Sequence, residues 1–570
     1  MLHVRWLGRV PYAEALALQR RLFAGPADHL LLLEHESVFT LGPNADPEHL
    51  LVDPAEVGAE LHRVDRGGDV TYHGPGQIVG YPVLSVPGKR GGGMADTVAY
   101  VRRVERLLMD TLDDVGLGGC GRLDGYPGVW VDPQGSRPRK IAAIGVRLSR
   151  GRSMHGFALN VDPDMAWFDR IVPCGISEHQ VTSLAGEGID VEMREVVDAI
   201  AARAAKLWGD GTAWRQDVVW RQRDVDLSAF SRGAGPGEAV DGPAETSVVE
   251  GLMIGGPRSG DTTARRRSRL DEAGVEGGMG LRSRKPGWMK ARLDITPGFR
   301  ALKRTMRELD LVTVCEEALC PNISECWSTG TATFMINGER CTRACGFCLV
   351  DTRLPQPIDE GEPARVGEAV AAMGLAHAVV TAVARDDLDD GGASAFAHTI
   401  DAIRSASHGT AVEVLIPDFR GDEASLQVVI DAEPDVLNHN METVPRLQRA
   451  ARPNAGYARS LGVLSRCATA GLVIKSGLIV GMGETDAEVD AVLADLGAIG
   501  CDIVTIGQYL RPTTNHLPID RWVDPVQFDR WISVGKEFGI GHVEASPLTR
   551  SSYHAHEASI SVLKGADNGQ

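Results

Sequence analysis

Near its middle the chain loses the means to bury anything. Residues 229–283, with stretches such as "SRGAGPGEAVDGPAETSVVE", are rich in Gly, Pro, Ser and Thr. Such a composition cannot remove enough apolar surface from water to offset the entropy of ordering it, so a flexible linker is expected there. A 570-residue chain exceeds what one hydrophobic core serves. The break therefore predicts two separately cored domains, 1–228 and 284–570. The basic run "RRRSR" inside it reads as solvated linker charge rather than a nucleic-acid contact.

The two halves have different rhythms. In the first, "PYAEALALQRRLFAG" and "DTVAYVRRVERLLMDTLDDVG" have helical apolar spacing, while "HLLLLEH" and "QIVGYPVLSV" read as strands. In the second, short β-rich runs ("HAVVTAVA", "AVEVLIP", "DVLNHN", "LVIKSGLIVG", "DIVTIGQYL") alternate with amphipathic helices. That alternation implies a parallel sheet, doubly wound or curled into a full or partial barrel; a barrel gathers its functional residues at the carboxyl ends of its strands.

A formal net charge of −18 argues against a general nucleic-acid binder. No apolar run reaches the roughly 18 residues of a membrane span, and the N-terminus lacks a signal-peptide core. The expected address is cytoplasmic, where thiols stay reduced and a disulfide framework is the weaker reading of clustered cysteines.

Six of the ten cysteines fall between positions 315 and 348. In "ERCTRACGFC", Cys341, Cys345 and Cys348 stand four and three apart with no nearby His or fourth Cys. Structural zinc takes four ligands; an iron–sulfur cubane on three thiolates leaves one iron open. Spacing favours the cluster and leaves zinc as the alternative. Cys467 and Cys501, in apolar surroundings, read as small core residues.

Following "TATFMI", Cys341-x3-Cys345-x2-Cys348 resembles the motif of radical S-adenosylmethionine enzymes. Upstream, Cys315-x4-Cys320-x5-Cys326, together with "RDDLDDGGA", "EVLIPDFRG", "NHNMETVPRL", "KSGLIVGMGET", "GQYLRPTTNHLP" and "RSSYHA", resembles the lipoyl synthases over about residues 285–556. The resemblance implies a partial (β/α) barrel of radical S-adenosylmethionine type and two [4Fe-4S] clusters. One, on Cys341, Cys345 and Cys348, would bind S-adenosyl-L-methionine. The other, on Cys315, Cys320, Cys326 and Ser552, would donate sulfur, and an electron donor such as ferredoxin or flavodoxin would reduce the system. Ala384 departs from the Asp or Asn common before "RDDL". Taken alone, "GMGET" is a strand-to-helix turn and "RDDLDD" a capped, solvated loop; under the resemblance the former touches S-adenosylmethionine.

The first half offers a Gly-rich loop, "RGGDVTYHGPGQ", without the order of a phosphate cradle. Cys174 lies in the turn-like "IVPCGI", and Lys140 opens the strand-like "RKIAAIG". A lysine beside a cysteine can hold it as thiolate or act as its base, but spacing does not place these two together. These stretches, with "HGFALNV" and "VPCGISEHQVTSL", resemble the lipoyl(octanoyl) transferases over about residues 1–215. The resemblance implies an α+β domain like biotin and lipoate ligases, with Cys174 as nucleophile and Lys140 as its acid/base partner. The acyl site would be lined by Arg66, Gly67, Gly68, Asp69, Val70, Thr71, Tyr72, His73, Ala143, Ile144, Gly145, Gly156, Phe157 and Ala158. His73 and His155 also read as structural, hydrogen-bonded histidines, and Cys120 has no evident partner.

Together the resemblances imply a bifunctional lipoate-biosynthesis enzyme. It would move octanoyl from acyl carrier protein to a lysine of lipoyl domains, in 2-oxoacid dehydrogenases and the glycine cleavage H protein. It would then insert sulfur at C6 and C8. Alternatives are an ATP-dependent lipoate ligase or a non-catalytic docking module in the first half, and a zinc-bound structural domain in the second.

Overall fold

In a computed structural model of the chain, the residues described are 1–86, 96–172, 179–218, 269–271, 273–275, 278–279, 284–289, 311–313, 322–513 and 515–567. They fall into two compact units, Met1–Trp220 and Arg221–Gln570. No described helix is long and apolar enough to cross a membrane.

In the first unit a nine-stranded mixed sheet runs β12-β1-β2-β6-β10-β9-β8-β7, with β11 on β9, β7 being Gly121–Leu123 and β8 Tyr126–Val131. The strands that matter for the site are β1 (Leu2–Arg9), β2 (Asp28–Glu34), β6 (Gln77–Val83), β9 (Arg139–Ser149), β10 (Arg152–Asn160), β11 (Gln180–Val181) and β12 (Ala213–Asp217). A smaller sheet sets β3 (Val38–Leu41) between β4 (Glu60–Arg63) and β5 (Val70–His73). Helices α1 (Tyr12–Ala24), α2 (Thr97–Asp114) and α3 (Met193–Trp208) complete it. The helical spacing of Tyr100, Val104, Leu107, Leu108 and Leu112 turns one stripe of α2 inward, and Asp96 caps its start by accepting from the Ala99 amide. That stripe packs with Val196, Val197 and Ile200 of α3 on Leu30, Leu32, Ile78, Phe157 and Leu159 of the sheet. Side chains alternate along a strand. While Ile78 enters this core, Val79 and Tyr81 point to the other face, where a cavity forms.

The second unit is one eight-stranded sheet whose spatial order equals its chain order: β13 (Val312–Thr313), β14 (Thr331–Ile336), β15 (His377–Ala382), β16 (Ala411–Leu415), β17 (Val436–Asn438), β18 (Ile474–Val480), β19 (Ile503–Gln508) and β20 (His542–Ser546). All neighbours are parallel except β13, antiparallel to β14. The connections carry α4 (Ile323–Ser328), α5 (Glu362–Met373), α6 (Ala393–Ala406), α7 (Glu423–Asp431), α8 (Gln448–Ala451), α9 (Tyr457–Thr469), α10 (Asp486–Ala498) and α11 (Pro525–Glu537), with α12 (Ala555–Asp567) after the last strand. This is the strand–helix rhythm read from the sequence. Buried among the strands, Lys475 reaches both oxygens of Glu413 at 2.9 and 3.0 Å, and Asn438 donates to the same carboxylate at 3.1 Å.

Within the range 229–283 expected as linker, residues 270, 273, 275 and 279 pack onto the rest of the second unit. Leu270, Ala273 and Val275 are buried, Met279 donates to the Ile519 carbonyl, and Val275 fills the space that a Cβ on Gly483 would need.

Candidate functional site

The cavity of the first unit is floored by β9 and β10. Their antiparallel register sets Ala143 opposite Ala158 and Gly145 opposite Gly156, so four of the smallest side chains pave one face. Two of them have no room to grow. A Cβ on Gly156 would stand 2.0 Å from the Gly80 oxygen, and one on Gly145 2.8 Å from the Gly67 oxygen. Over this floor close Arg66, Gly67, Gly68, Thr71 and His73, with Tyr12 from α1 and Val79 and Tyr81 from β6. The cavity has room for water-sized centres over about 40 Å³; with its open mouth and the surrounding non-atom space it spans about 450 Å³. Buried Arg66 is fastened to β3, its Nη2 donating to the Thr40 carbonyl at 2.6 Å and its Nε to Thr40 Oγ1 at 3.1 Å.

Strand alternation divides the loop expected to line the acyl site. Arg66, Gly67, Gly68, Thr71 and His73 line the cavity, as do Ala143, Gly145, Gly156 and Ala158; Ile144 and Phe157 border it from the same two strands while packing with the core under α2 and α3. Val70 and Tyr72 turn away into a small core with Phe39, where Tyr72 stacks on Trp167 at 5.0 Å. Asp69 bonds His49 and accepts from the Asp46 amide.

Lys140 is buried on β9, its ammonium 5.4 Å from the centre of the Trp130 ring, within reach of a cation–π attraction. Gly128, at φ +124°, leaves room for this side chain, since a Cβ there would meet Lys140 Cε at 2.8 Å. Cys174 lies outside the described residues. On one side of that gap Val172 donates to the His49 carbonyl; on the other, His179 packs edge-on to Trp130 at 5.3 Å and Val181 pairs in register with Lys140.

Three buried histidines surround the cavity wall. His35 bonds the Val10 carbonyl and the Tyr81 hydroxyl, both at 2.7 Å, and burial pushes it down to about 4. His155 bonds Asp65 at 2.8 Å and has a left-handed backbone, φ +59°. Burial lowers it, against the pull of Asp65. His73 Nδ1 bonds Gln77 Oε1 at 2.8 Å. Tyr12, Val79 and Tyr81 were absent from the sequence reading; only the alternation in "QIVGYPVL" could have flagged the last two. Cys120 is half-buried, within 3.7 Å of the Leu117 carbonyl, and burial raises it to about 11.

In the second unit Cys341, Cys345 and Cys348 follow the carboxyl end of β14. Cys341 Sγ accepts backbone N–H bonds from Arg343 at 3.4 Å and Ala384 at 3.3 Å. The loop is pinned by Gly346 N to Ala451 O, by Leu517 N to Gly346 O and by His516 on the Cys348 carbonyl. Between the first two cysteines, buried Arg343 grips Asp386 through two bonds of 2.7 and 2.8 Å and Asp418 at 2.6 Å. Burial works to raise the Asp418 carboxyl, yet Arg343 and Arg459 hold it well below the ordinary carboxylate range.

These residues fit an iron–sulfur cluster. Burial raises all three thiols, and the neighbouring cysteines add to this at Cys345 and Cys348, the latter reaching about 12. Thiols so placed ionise when a cationic group neutralises them.

Of the residues expected to hold a second cluster, Cys326 is buried on α4, a helix bonded to the segment around Ser552. The Tyr553 hydroxyl donates to the Glu325 carboxylate at 3.2 Å, and Asn322 donates to the Leu548 carbonyl at 2.7 Å. Cys315 and Cys320 lie outside the described residues. Two other motifs are held together from within. Glu484 of "GMGET" accepts from the Gly481 and Met482 amides at 2.5 and 3.0 Å, and Asp390 of "RDDLDD" accepts from the Gly392 and Ser394 amides. Cys467 and Cys501 are buried core residues.

Three family descriptions match the chain: "Lipoyl protein ligase A/B catalytic domain" at 11–205, "N-terminal domain of lipoyl synthase of Radical_SAM family" at 257–320, and "Radical SAM superfamily" at 335–496. A lipoyl synthase of Rubrobacter xylanophilus is 57% identical over 284 residues, covering 50% of this chain and 88% of that protein. One from Chlorobaculum parvum is 52% identical over 274 residues, covering 48% and 94%. Among solved structures, a bi-partite lipoate protein ligase of Thermoplasma acidophilum is similar at 18% identity and TM-score 0.33, covering 38% of this chain and 88% of that one.

Proposed function

The chain belongs, through its second half, to the lipoyl synthase family, and from that premise we propose that its two units carry out consecutive steps on one lysine-bound acyl chain. It is an enzyme, with a lipoate ligase or transferase domain preceding a radical S-adenosylmethionine domain.

In our reading the first unit takes octanoyl from acyl carrier protein as a thioester on Cys174 and passes it to a lysine of a lipoyl domain, with Lys140 as the acid/base partner of the thiol. The observation that carries this is the cavity. Stretches far apart in the chain converge there on an open floor of Ala143, Gly145, Gly156 and Ala158. A floor of alanine and glycine under a Gly-rich loop leaves room for a straight alkyl chain along β9 and β10. The alternative of an ATP-dependent ligase makes Cys174 dispensable.

In the second unit Cys341, Cys345 and Cys348 would hold one [4Fe-4S] cluster, and Cys315, Cys320, Cys326 and Ser552 another. S-adenosylmethionine and the clusters supply hydrogen abstraction and sulfur for C6 and C8. The protein's own part is to fix the cysteine loop through Arg343, Asp386 and Asp418 and to keep it buried. A low-potential electron donor and a cytoplasmic setting complete the proposal.

Intact-mass analysis of an unmodified lipoyl domain tests it. Octanoyl-acyl carrier protein alone should add an octanoyl mass, with no need for ATP. S-adenosylmethionine and a strong reductant without oxygen should convert that to the lipoyl mass. Octanoylation that requires ATP and free acid, or that survives Cys174→Ala, overturns the transferase reading.

A further inference from the structure

The protonation state of His73 can be read outward from one backbone carbonyl. Thr182 O can only accept, so the Asn160 amide nitrogen faces it at 2.9 Å, leaving Asn160 Oδ1 to accept from Gln77 Nε2, also at 2.9 Å. Gln77 Nε2 donates to the Tyr72 carbonyl as well, at 3.3 Å. Gln77 therefore presents its oxygen to His73 Nδ1 at 2.8 Å, and Nδ1 must carry the proton. The other ring nitrogen, Nε2, is left with a bare lone pair. It has no hydrogen-bond partner among the described residues, and the ring lines the cavity. The same network ends beside Lys140, whose carbonyl accepts from Thr182 N at 2.9 Å.

An alkyl chain has no donor to satisfy that lone pair. Two reacting groups do: the amine of the acceptor lysine, and the amide groups on the thioester arm of the acyl donor. The environment favours the amine. Tyr12 stacks on the His73 ring at 6.3 Å and His35 meets it edge-on at 5.8 Å. Burial, helped by His35 and opposed by Gln77, pushes the imidazole down to about 3, so it stays neutral and does not repel an approaching amine.

We propose that His73 Nε2 is the hydrogen-bond acceptor that receives the lysine amine during acyl transfer, with Gln77 and Asn160 as positioning residues that hold its tautomer. Holding one N–H in this way leaves the nitrogen lone pair free to attack the acyl carbon. The proposal rests on the transferase reading above.

The test separates the two half-reactions in the full-length protein by intact mass: loading of Cys174 from octanoyl-acyl carrier protein, then single-turnover transfer to a lipoyl domain. His73→Leu should slow transfer about 10- to 100-fold more than it slows loading, the effect of deleting one acceptor to a polar group. His73→Gln, which restores an acceptor oxygen, should recover most of that loss. Gln77→Leu should slow transfer and mix the ring tautomers seen by nitrogen-15 NMR. Equal slowing of loading and transfer in His73→Leu assigns the acceptor to the thioester arm or to structure and overturns the proposal, as does transfer at the unaltered rate. If His73→Leu does not fold, the NMR of unaltered protein decides: a proton on Nε2 refutes the derivation. Failure of unaltered protein to load Cys174 removes the transferase reading itself, a different result from failure of His73 alone.

Discussion

Replacing Lys475 with methionine deletes one charge of a pair with essentially no exposure: Lys475 is 0% and Glu413 1% accessible. Burial alone would raise the Glu413 carboxyl; Lys475 first and His377 next more than reverse this, leaving it at about 2 against an ordinary 4.5. That depression corresponds to roughly 3 kcal/mol, in line with the ~3–5 kcal/mol lost when one partner of a buried pair is removed. Because the folded value lies below the unfolded one, this contribution is present above about pH 4.5 and fades as pH falls toward 2. In Lys475→Met the carboxylate keeps only His377 and Asn438, burial dominates, and Glu413 takes up a proton. The stability gap to the unaltered protein should therefore be widest near neutrality and narrow below pH 4.5. A Glu413→Leu/Lys475→Met double variant leaves no orphan charge and should be more stable than Lys475→Met alone. With two units in one chain, global melting does not isolate the effect. Hydrogen exchange read on peptides covering β16 and β18 does. A loss under about 1 kcal/mol, or a double variant as damaged as the two single losses summed, would refute the reasoning.

Gly156→Ala forces a methyl to 2.0 Å from a backbone oxygen and should lower the melting temperature of the first unit by about 5 °C or more, whereas Gly145→Ala, at 2.8 Å, should be milder; calorimetry giving the reverse order would contradict the close-contact account. Arg343→Lys gives one ammonium where a fork grips Asp386 and Asp418. Iron retained per chain after anaerobic reconstitution should fall, and unchanged iron would show that the clamp is not what sets the loop. Cutting the chain between its units should lower lipoyl output as the enzyme is diluted, because the second step loses the raised local concentration that a tether provides; equal output from equimolar halves at every dilution would dismiss the benefit of fusion.

The second unit was the more legible half. Its parallel strands are covered on both faces and so appear as unbroken apolar runs, spaced by helices with clear polar sides. The smaller sheet of the first unit left no such mark: "ELHR" is an exposed polar strand whose pairing with β3 depends on the fold. The division of Val70–His73 between cavity and core follows from period-two alternation and was available once β5 was drawn as a strand. Tyr12 was not, because nothing in an amphipathic helix says which of its inner residues meets a cavity. The local readings of "GMGET" and "RDDLDD" describe how those loops are held: Thr485 and Glu488 form a reciprocal capping box at the start of α10, and Asp390 anchors the turn into α6. The Lys475–Glu413 pair spans 62 residues and is invisible to any local pattern.

Sheet order also fixes when each half can finish folding during synthesis. In the second unit every strand joins the one made just before it, so the wall lengthens strand by strand as the chain emerges. The first unit has no such option. Its opening strand pairs Leu2 with Ala213 and Trp6 with Asp217, and that edge of β1 stays open until nearly the last residue of the unit has been made. A ribosome translating this message therefore carries an incomplete first sheet for over two hundred residues, and the interval before the second sheet begins, the stretch after β12, is the one in which the first can close.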